Sequence, residues 1–393
     1  MIKGVGEMER NVALDFIRGV AILGILLLNI TAFGLPKAAY LNPAWDGSAS
    51  LSDAWSWALL DLFAQVKFLS LFALLFGAGL QMLLPRGKRW IQSRLTLLVL
   101  LGFMHGLLFW DGDILLAYGL VGLISWRMVR DAQSVKTLFN IGLVLYLIGI
   151  AVLLLLGAIS GNAPNRSWLP GLADVQYESW WKTTGGLVEA IGNRADLLSS
   201  SLLALGAQYG WQLAGLMLLG AALMRSGWLK GQFSQRHYRR TGALLVLVGM
   251  AVNVPAIVAQ WQLGWAYRWC AFLLQAPREL SAPVQVLGYV ALILGFWQHL
   301  SKWKIVAAVA CVGRMALSNY LLQTLICTTL FYRFGLFNHF DRLQLVAFVP
   351  AVWAINILFS LFWLRRFRQG PVEWLWRQLT ARASGSAFPR TSR

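Results

Sequence analysis

Long apolar runs recur from one end of the chain to the other, separated by short segments where charge, glycine and proline collect. A hydrocarbon core ~30 Å thick takes about 20 helical residues at a rise of 1.5 Å each. By that measure the pattern predicts an all-α, polytopic membrane protein of about ten transmembrane helices, at 14–34, 57–84, 93–110, 114–129, 138–160, 197–224, 241–261, 283–299, 305–331 and 343–364. The run at 57–84 exceeds one crossing, so its start is expected at the interface, and the run at 114–129 is short. No room is left for a large soluble part, so residues 1–393 are expected to form a single integral-membrane domain. Trp374, Leu375 and Leu379, set among basic residues, predict an amphipathic helix on the inner surface over 365–382. The small and polar residues of 383–393 predict disorder.

Composition agrees with the pattern. Mean hydropathy is +0.61, and 58% of residues are hydrophobic against 13% charged, too little polar surface to cover a soluble globule. The net charge of +18 would suit nucleic acid, but its distribution along the chain gives another reason for it. With the N-terminus inside, 23 basic residues fall in segments on the inner side and eight on the outer, while Arg18, Lys67 and Arg314 lie within apolar runs. This alternation is the positive-inside rule. It predicts an inner membrane protein with both termini cytoplasmic and no nucleic-acid partner. The first run carries Arg18 and ends in bulky residues, so it is expected to be an uncleaved span and not a signal peptide. Cys270, Cys311 and Cys327 lack metal-ligand spacing, and no metal is expected.

The chemistry then lies in the polar residues within the runs. Asp15 and Arg18 are i,i+3, and Asn29 falls on nearly the same face of the first span. This stripe reads either as a polar site or as a snorkelling arginine, a capping aspartate and an amide that glues helices together. In the second run Asp61 and Gln65 are i,i+4. Lys67 is either an interfacial cation or an intramembrane one with a partner, and Gly77 and Gly79 allow close helix approach. The inner turn with Arg86, Lys88 and Arg89 is a topology anchor or a phosphate site. His105 lies near the outer end of the third span, within reach of Asp111 and Asp113. A carboxylate there can orient the ring and raise its basicity, as a general base requires; Asp113 as a helix cap is the plain alternative. The ninth span carries Arg314 too deep for easy snorkelling, with Asn319 and Gln323 beyond it. Arg314 reads as an ion-pair partner of Asp15 or as an anchor for an anionic ligand.

The motifs LDFIRG (14–19), WDGDILLAYG (110–119), GRMALSNYLLQ (313–323) and GPVEWLWR (370–377) together closely resemble the YeiB family of bacterial inner-membrane proteins. That family is grouped with transmembrane acyltransferases: acyltransferase-3 proteins, OpgC-type glucan succinyltransferases and heparan-α-glucosaminide N-acetyltransferase. The resemblance implies transfer of an acyl group from a cytosolic donor, commonly a coenzyme A thioester, to an acceptor across the membrane. It also implies a homodimer. Asp15, Arg18 and Gly19 match the superfamily's D-x-x-R-G opening. Asn29 stands where acyltransferase-3 proteins carry an intramembrane histidine. The heparan acetyltransferases resemble this chain in having asparagine there, but their loop histidine would fall near Asn42, where no imidazole is present. If the chain is an acyltransferase as the resemblance implies, His105 has taken over the base's role; otherwise the activity has been lost. The expected catalytic group is His105, Asp111, Asp113 and Asn29. The expected donor group is Asp15, Arg18, Arg314, Asn319, Gln323, Arg86, Lys88 and Arg89, with acyl-CoA as donor and lipids around the protein. A transporter or lipid-handling protein is the competing expectation.

Overall fold

The computed structural model describes residues 12–385, which are helical throughout with no strand. Part of the expected disordered tail, 386–393, and the first basic residues lie outside that range. Helix α1 (Val12–Gly34) runs into a loop. Next come α2 (Leu51–Phe63), capped by Ser50 Oγ accepting from Asp53 N at 3.1 Å, and α3 (Lys67–Leu83). Helices α4 (Lys88–Leu108) and α5 (Leu115–Asp131) pack together, and α6 (Val135–Ile159) follows. The long connection after α6 contains α7 (Leu172–Thr183); α8 (Gly186–Ala204) passes through one π turn into α9 (Gly210–Arg225). Helix α10 (Gln235–Gln262) packs on α11 (Gln275–Gly295), and the short α12 (Trp297–Leu300) leads to α13 (Lys304–Arg314) and α14 (Ala316–Thr328). Helix α15 (Arg342–Arg366) opens on a capping box between Asp341 and Gln344, and α16 (Pro371–Ser384) has proline in its first turn.

Among the described residues, seven helical stretches are long and apolar enough to cross a membrane, or eight if the bent pair α13–α14 counts as one. Helix α5 has 17 residues and α11 opens on the polar stretch QAPRE; neither is among the seven. Surface polarity runs opposite to that of a soluble globule. Leu143, Leu147, Leu155, Leu244, Leu247, Leu358 and Phe362 face outward, whereas Asp61, Lys67, His105, Arg278, Asn319 and Asn356 are buried. Only lipid makes that arrangement favourable. Helix α1 is the most enclosed span, with 67% of its apolar window buried against 28% for α10 and α15.

Two expected continuous runs are broken. The run at 57–84 splits at 64–66, where Val66 adopts φ of +65°, a strained conformation for a β-branched residue. The run at 305–331 bends by 88° at Met315. The bent helices can approach closely because glycine faces backbone at the crossings. A Cβ on Gly313 would overlap the Asp15 carbonyl, and one on Gly77 the Met217 carbonyl. Gly79, expected to serve the same way, instead faces open space. The expected tail helix 365–382 begins at Pro371, since Arg365 and Arg366 end α15, and it extends through Ser384. Trp374, Leu375 and Leu379 are exposed on it.

Candidate functional site

The turn between α4 and α5 brings His105 and Asp113 together. The imidazole, 4% exposed, lies with Nδ1 at 2.8 Å from Asp113 Oδ1 and Nε2 at 3.1 Å from Thr324 Oγ1. Asp113 Oδ2 accepts from Leu116 N at 2.8 Å. One carboxylate thus caps α5 and orients His105, so the two readings of Asp113 hold together. With an ionised Asp113, Nδ1 carries the proton and donates to it, leaving Nε2 to accept from the Thr324 hydroxyl. A carboxylate, an imidazole and a hydroxyl in series form a base held in one tautomer and aimed at an O–H group. Thr324 has no signature in the sequence; its place follows only from α14 packing against the end of α4.

Asp111 belongs to a different group. It is an electrostatic neighbour of Lys182, Arg194 and Tyr332. Lys182 Nζ bonds Glu178 Oε1 at 2.8 Å and lies over the rings of Trp181, Tyr332 and Phe337. Burial pulls the Lys182 pKa down, but Tyr332, Glu178 and Asp111 outweigh it and hold the ammonium above its ordinary value.

A cavity of about 440 Å³ opens at the end of the bundle where arginines gather, within the usual size of small-molecule sites, ~300–1,000 Å³. Arg18, Arg86, Arg94 and Arg314 line its mouth together with Glu373 and Trp376; Phe72, Phe76, Leu80, Leu95 and Leu98 form its walls, and Leu115, Tyr118 and Tyr320 its far end. Tyr320 is the partition between this space and the histidine. Its ring lies 5.5 Å from that of His105, and its hydroxyl accepts from Ile114 N at 3.3 Å.

The expected donor residues divide accordingly. Arg18, Arg86 and Arg314 line the cavity; Asp15 Oδ1 takes Arg18 Nη1 at 3.2 Å, and Arg314 Nη2 donates to Arg368 O at 3.0 Å. Lys88 and Arg89 are exposed at the start of α4, outside the lining. Asn319 and Gln323 are spent on structure. Asn319 Nδ2 donates to Val312 O, Met315 O and Ser360 Oγ, closing the break before α14. Asn356 Nδ2 donates to Asn319 Oδ1, and Gln323 Nε2 to Ile22 O. Asn29 is buried on α1 and lines neither the cavity nor the histidine site. Arg94, which continues the basic cluster that the sequence reads as a topology anchor or a phosphate site, and Glu373, not singled out as a site residue, complete the mouth.

A second ionic centre joins α2, α3, α10 and α11. Asp61, 1% exposed, accepts from Arg278 Nη1 at 2.8 Å and from Asn253 Nδ2 at 3.0 Å, while its carbonyl accepts from Lys67 Nζ at 2.6 Å. Lys67 is therefore a buried cation with a partner, and Arg278, one of the eight basic residues that the sequence counts on the outer side, is buried in the bundle as well. Among the described residues no three His, Cys, Asp or Glu side chains gather as metal ligands would.

Residues 223–383 match the family described as "Protein of unknown function (DUF418)". The chain is 75% identical over 386 residues to the "Uncharacterized protein YeiB" of Escherichia coli (strain K12), covering 98% of this chain and all of that protein. It is 29% identical to YxaH of Bacillus subtilis (strain 168), over 95% of this chain and 94% of that one. A 39.9 kDa protein encoded beside an amylase gene in Bacillus acidopullulyticus is 26% identical over the same shares.

Proposed function

We propose that this chain, which belongs to the YeiB family, transfers an acyl group from a donor in the arginine-mouthed cavity to an acceptor activated by His105. The observation that carries the reading is the series Asp113–His105–Thr324 behind the closed end of an apolar cavity. On this reading ten spans place both termini and the arginine mouth in the cytosol of a bacterium, with the protein in its inner membrane. α5 and α11 supply the crossings that are short or polar, and two copies pair through the outward apolar face of α6. The donor is a coenzyme A thioester, whose phosphates suit the guanidiniums at the mouth and whose acyl chain suits the walls.

The mechanism follows from the side chains. Asp113 fixes the Nδ1–H tautomer. An acceptor hydroxyl or amine displaces Thr324 from Nε2 and gives its proton to His105 as it attacks the thioester carbonyl; the proton returns to the departing thiolate. Tyr320 must swing aside for the acyl end to reach the histidine. The test is transfer of a radiolabelled acyl group from acyl-CoA in vesicles that contain the protein. His105→Ala should lose about 10²–10⁴ in rate, the usual worth of a positioned base, while the protein still folds. Transfer at the wild-type rate by that variant rejects the assignment.

The 88° break beside the cavity favours a second reading, movement of an anionic amphiphile without covalent change, because broken helices form many transport sites. Counterflow in proteoliposomes with no acylated product would select it.

A further inference from the structure

Glu373, on the chain's last helix, closes the cavity mouth with a carboxylate. Its Oε1 accepts from Leu317 N at 2.7 Å and from Ser318 N at 3.0 Å, at the start of α14, and its Oε2 accepts from Ser318 Oγ. Trp376, one turn further on, is pinned to α4: the Arg94 guanidinium lies 3.5 Å over its ring, and its Nε1 donates to Arg94 O at 2.9 Å. Both Glu373 and Trp376 are part of the cavity wall. The approach demands glycine at 370, where a Cβ would overlap the Glu373 carboxylate and lie 2.8 Å from Ser318 Oγ.

Three features take this contact beyond a helix cap. The amides it satisfies sit at a break inside the bundle, where they open onto the cavity. Two N–H groups and a hydroxyl converging on a carboxylate form a cradle that any carboxylate or phosphate oxygen can occupy. Around that cradle, the described lining residues include four guanidiniums, that of Arg18 paired with Asp15, and the carboxylate of Glu373, so the lining offers donors that suit anionic oxygens. Below it, apolar wall runs along α3 from Leu83 to Phe72, roughly 16 Å at 1.5 Å per residue.

We infer that the cavity binds an anionic amphiphile, an aliphatic chain with a carboxylate or phosphate head, and that Glu373 is the protein's own occupant of the head-group position. Ligand entry displaces Glu373 and lifts α16 from the mouth. The inference rests on the acyl-donor reading only for the choice of this cavity, and it names the charge that the donor's head must carry. An internal occupant lowers apparent affinity by the fraction of molecules in which it is absent.

The test is equilibrium binding to the full chain in lipid nanodiscs of palmitate, lysophosphatidic acid and palmitoyl-CoA, with inorganic phosphate as the chainless control. Glu373→Gln should tighten binding by about tenfold or more, as expected when the open state is a minor one, and Arg86→Gln, which removes a lining guanidinium that does not hold α16, should weaken it about tenfold. Preference among the three probes separates a free carboxylate head from a phosphate. In the wild-type protein, amide exchange over 371–384 should rise when probe binds; this arm holds even if the Glu373 variant fails to fold. Unchanged or weaker binding by folded Glu373→Gln, binding with no change at α16, or no binding of any chain-bearing probe each overturns the inference. Binding is read without turnover. A protein that binds more tightly as Glu373→Gln yet transfers nothing keeps this inference and loses the acyl-transfer reading; one that transfers normally while Glu373→Gln binds no more tightly does the reverse.

Discussion

Replacing Asp61 with asparagine tests whether the ion pair with Arg278 is required where it lies. Both groups are buried, 1% and 2% exposed, with Oδ2 and Nη1 2.8 Å apart. The amide would keep the shape and could still accept from Asn253, so the lost hydrogen bond accounts for only about 0.6 kcal/mol on the scale measured between membrane helices. The charge is the larger matter. Removing one partner of a buried pair leaves the other unneutralised at a cost of about 3–5 kcal/mol. Lys67, whose nearby counter-charges are Asp61 and Glu279, loses one of them as well. The expected total is thus ~3–5 kcal/mol, read as a shifted midpoint for SDS-induced unfolding in lipid micelles followed by tryptophan fluorescence. The double variant Asp61→Asn/Arg278→Gln removes one charge of each sign and leaves Lys67 facing Glu279. It should recover most of the loss, since deleting a buried pair outright is often neutral. A single variant within about 1 kcal/mol of wild type, or a double variant no better than the single, would refute the reasoning.

Other outcomes follow from the same geometry. Gly79 lines the cavity and has nothing within 4 Å of its would-be Cβ; Gly79→Leu should therefore fold normally and lose binding of palmitoyl-CoA, and undiminished binding would mean that the chain goes elsewhere. Thr324→Val should leave acyl transfer within about tenfold of wild type if the hydroxyl only rests on Nε2 until acceptor arrives, against the 10²–10⁴ expected for the base; a loss as large as that of His105→Ala would make Thr324 the acyl-carrying nucleophile. Tyr320→Ala should join the cavity to the histidine and shift preference toward longer acyl chains, and an unchanged chain-length profile would show that Tyr320 is no partition. Burial, against the pull of nearby Arg278, pushes the Cys270 thiol up to about 12. At pH 8 it is a neutral thiol, so it should resist maleimide in the folded protein and label only in SDS; labelling of Cys270 in a folded variant that lacks the partly exposed Cys311 would contradict that.

Local features of the site were legible and distant ones were not. The i,i+3 spacing of Asp15 and Arg18 predicted a pair that forms at 3.2 Å. His105 and Asp113, eight residues apart across a turn, were also within reach of pattern reasoning. Arg278 was misplaced because QAPRELSAP, with two prolines, reads as a loop, whereas α11 has already begun at Gln275. Its partner Asp61 is 217 residues away, and no period connects them. The bend at Met315 was hidden for a related reason. The run around it carries Arg314, Ser318 and Asn319 but no proline or turn cluster to signal a bend, and the groups that stabilise it, Asn319 within α14 and Glu373 on α16, are supplied from outside the bend itself. Arg94 read as a topology anchor because charge near a span end is usually only that; its stacking on Trp376 joins α4 to the far end of the chain.

In hydrocarbon each interrupted turn releases backbone groups that water cannot reach, so a break can persist only where side chains take them up. Lys67 takes the Asp61 carbonyl beside the break at 64–66, Asn319 takes the Val312 and Met315 carbonyls, and Glu373 takes the Leu317 and Ser318 amides. This demand sorts the intramembrane polar residues by what they are committed to. Lys67, Asn319 and Gln323 hold backbone or one another, and replacing them should cost stability. The arginines at the cavity mouth and the Nε2 side of His105 face places where another molecule can sit, and replacing them should cost binding or rate. Glu373 falls in both classes, closing a break while standing among the arginines of the cavity. A side chain with two such duties is where occupancy of the cavity and the geometry of α14 become one equilibrium, because a ligand that takes its place must also take over the amides it leaves behind.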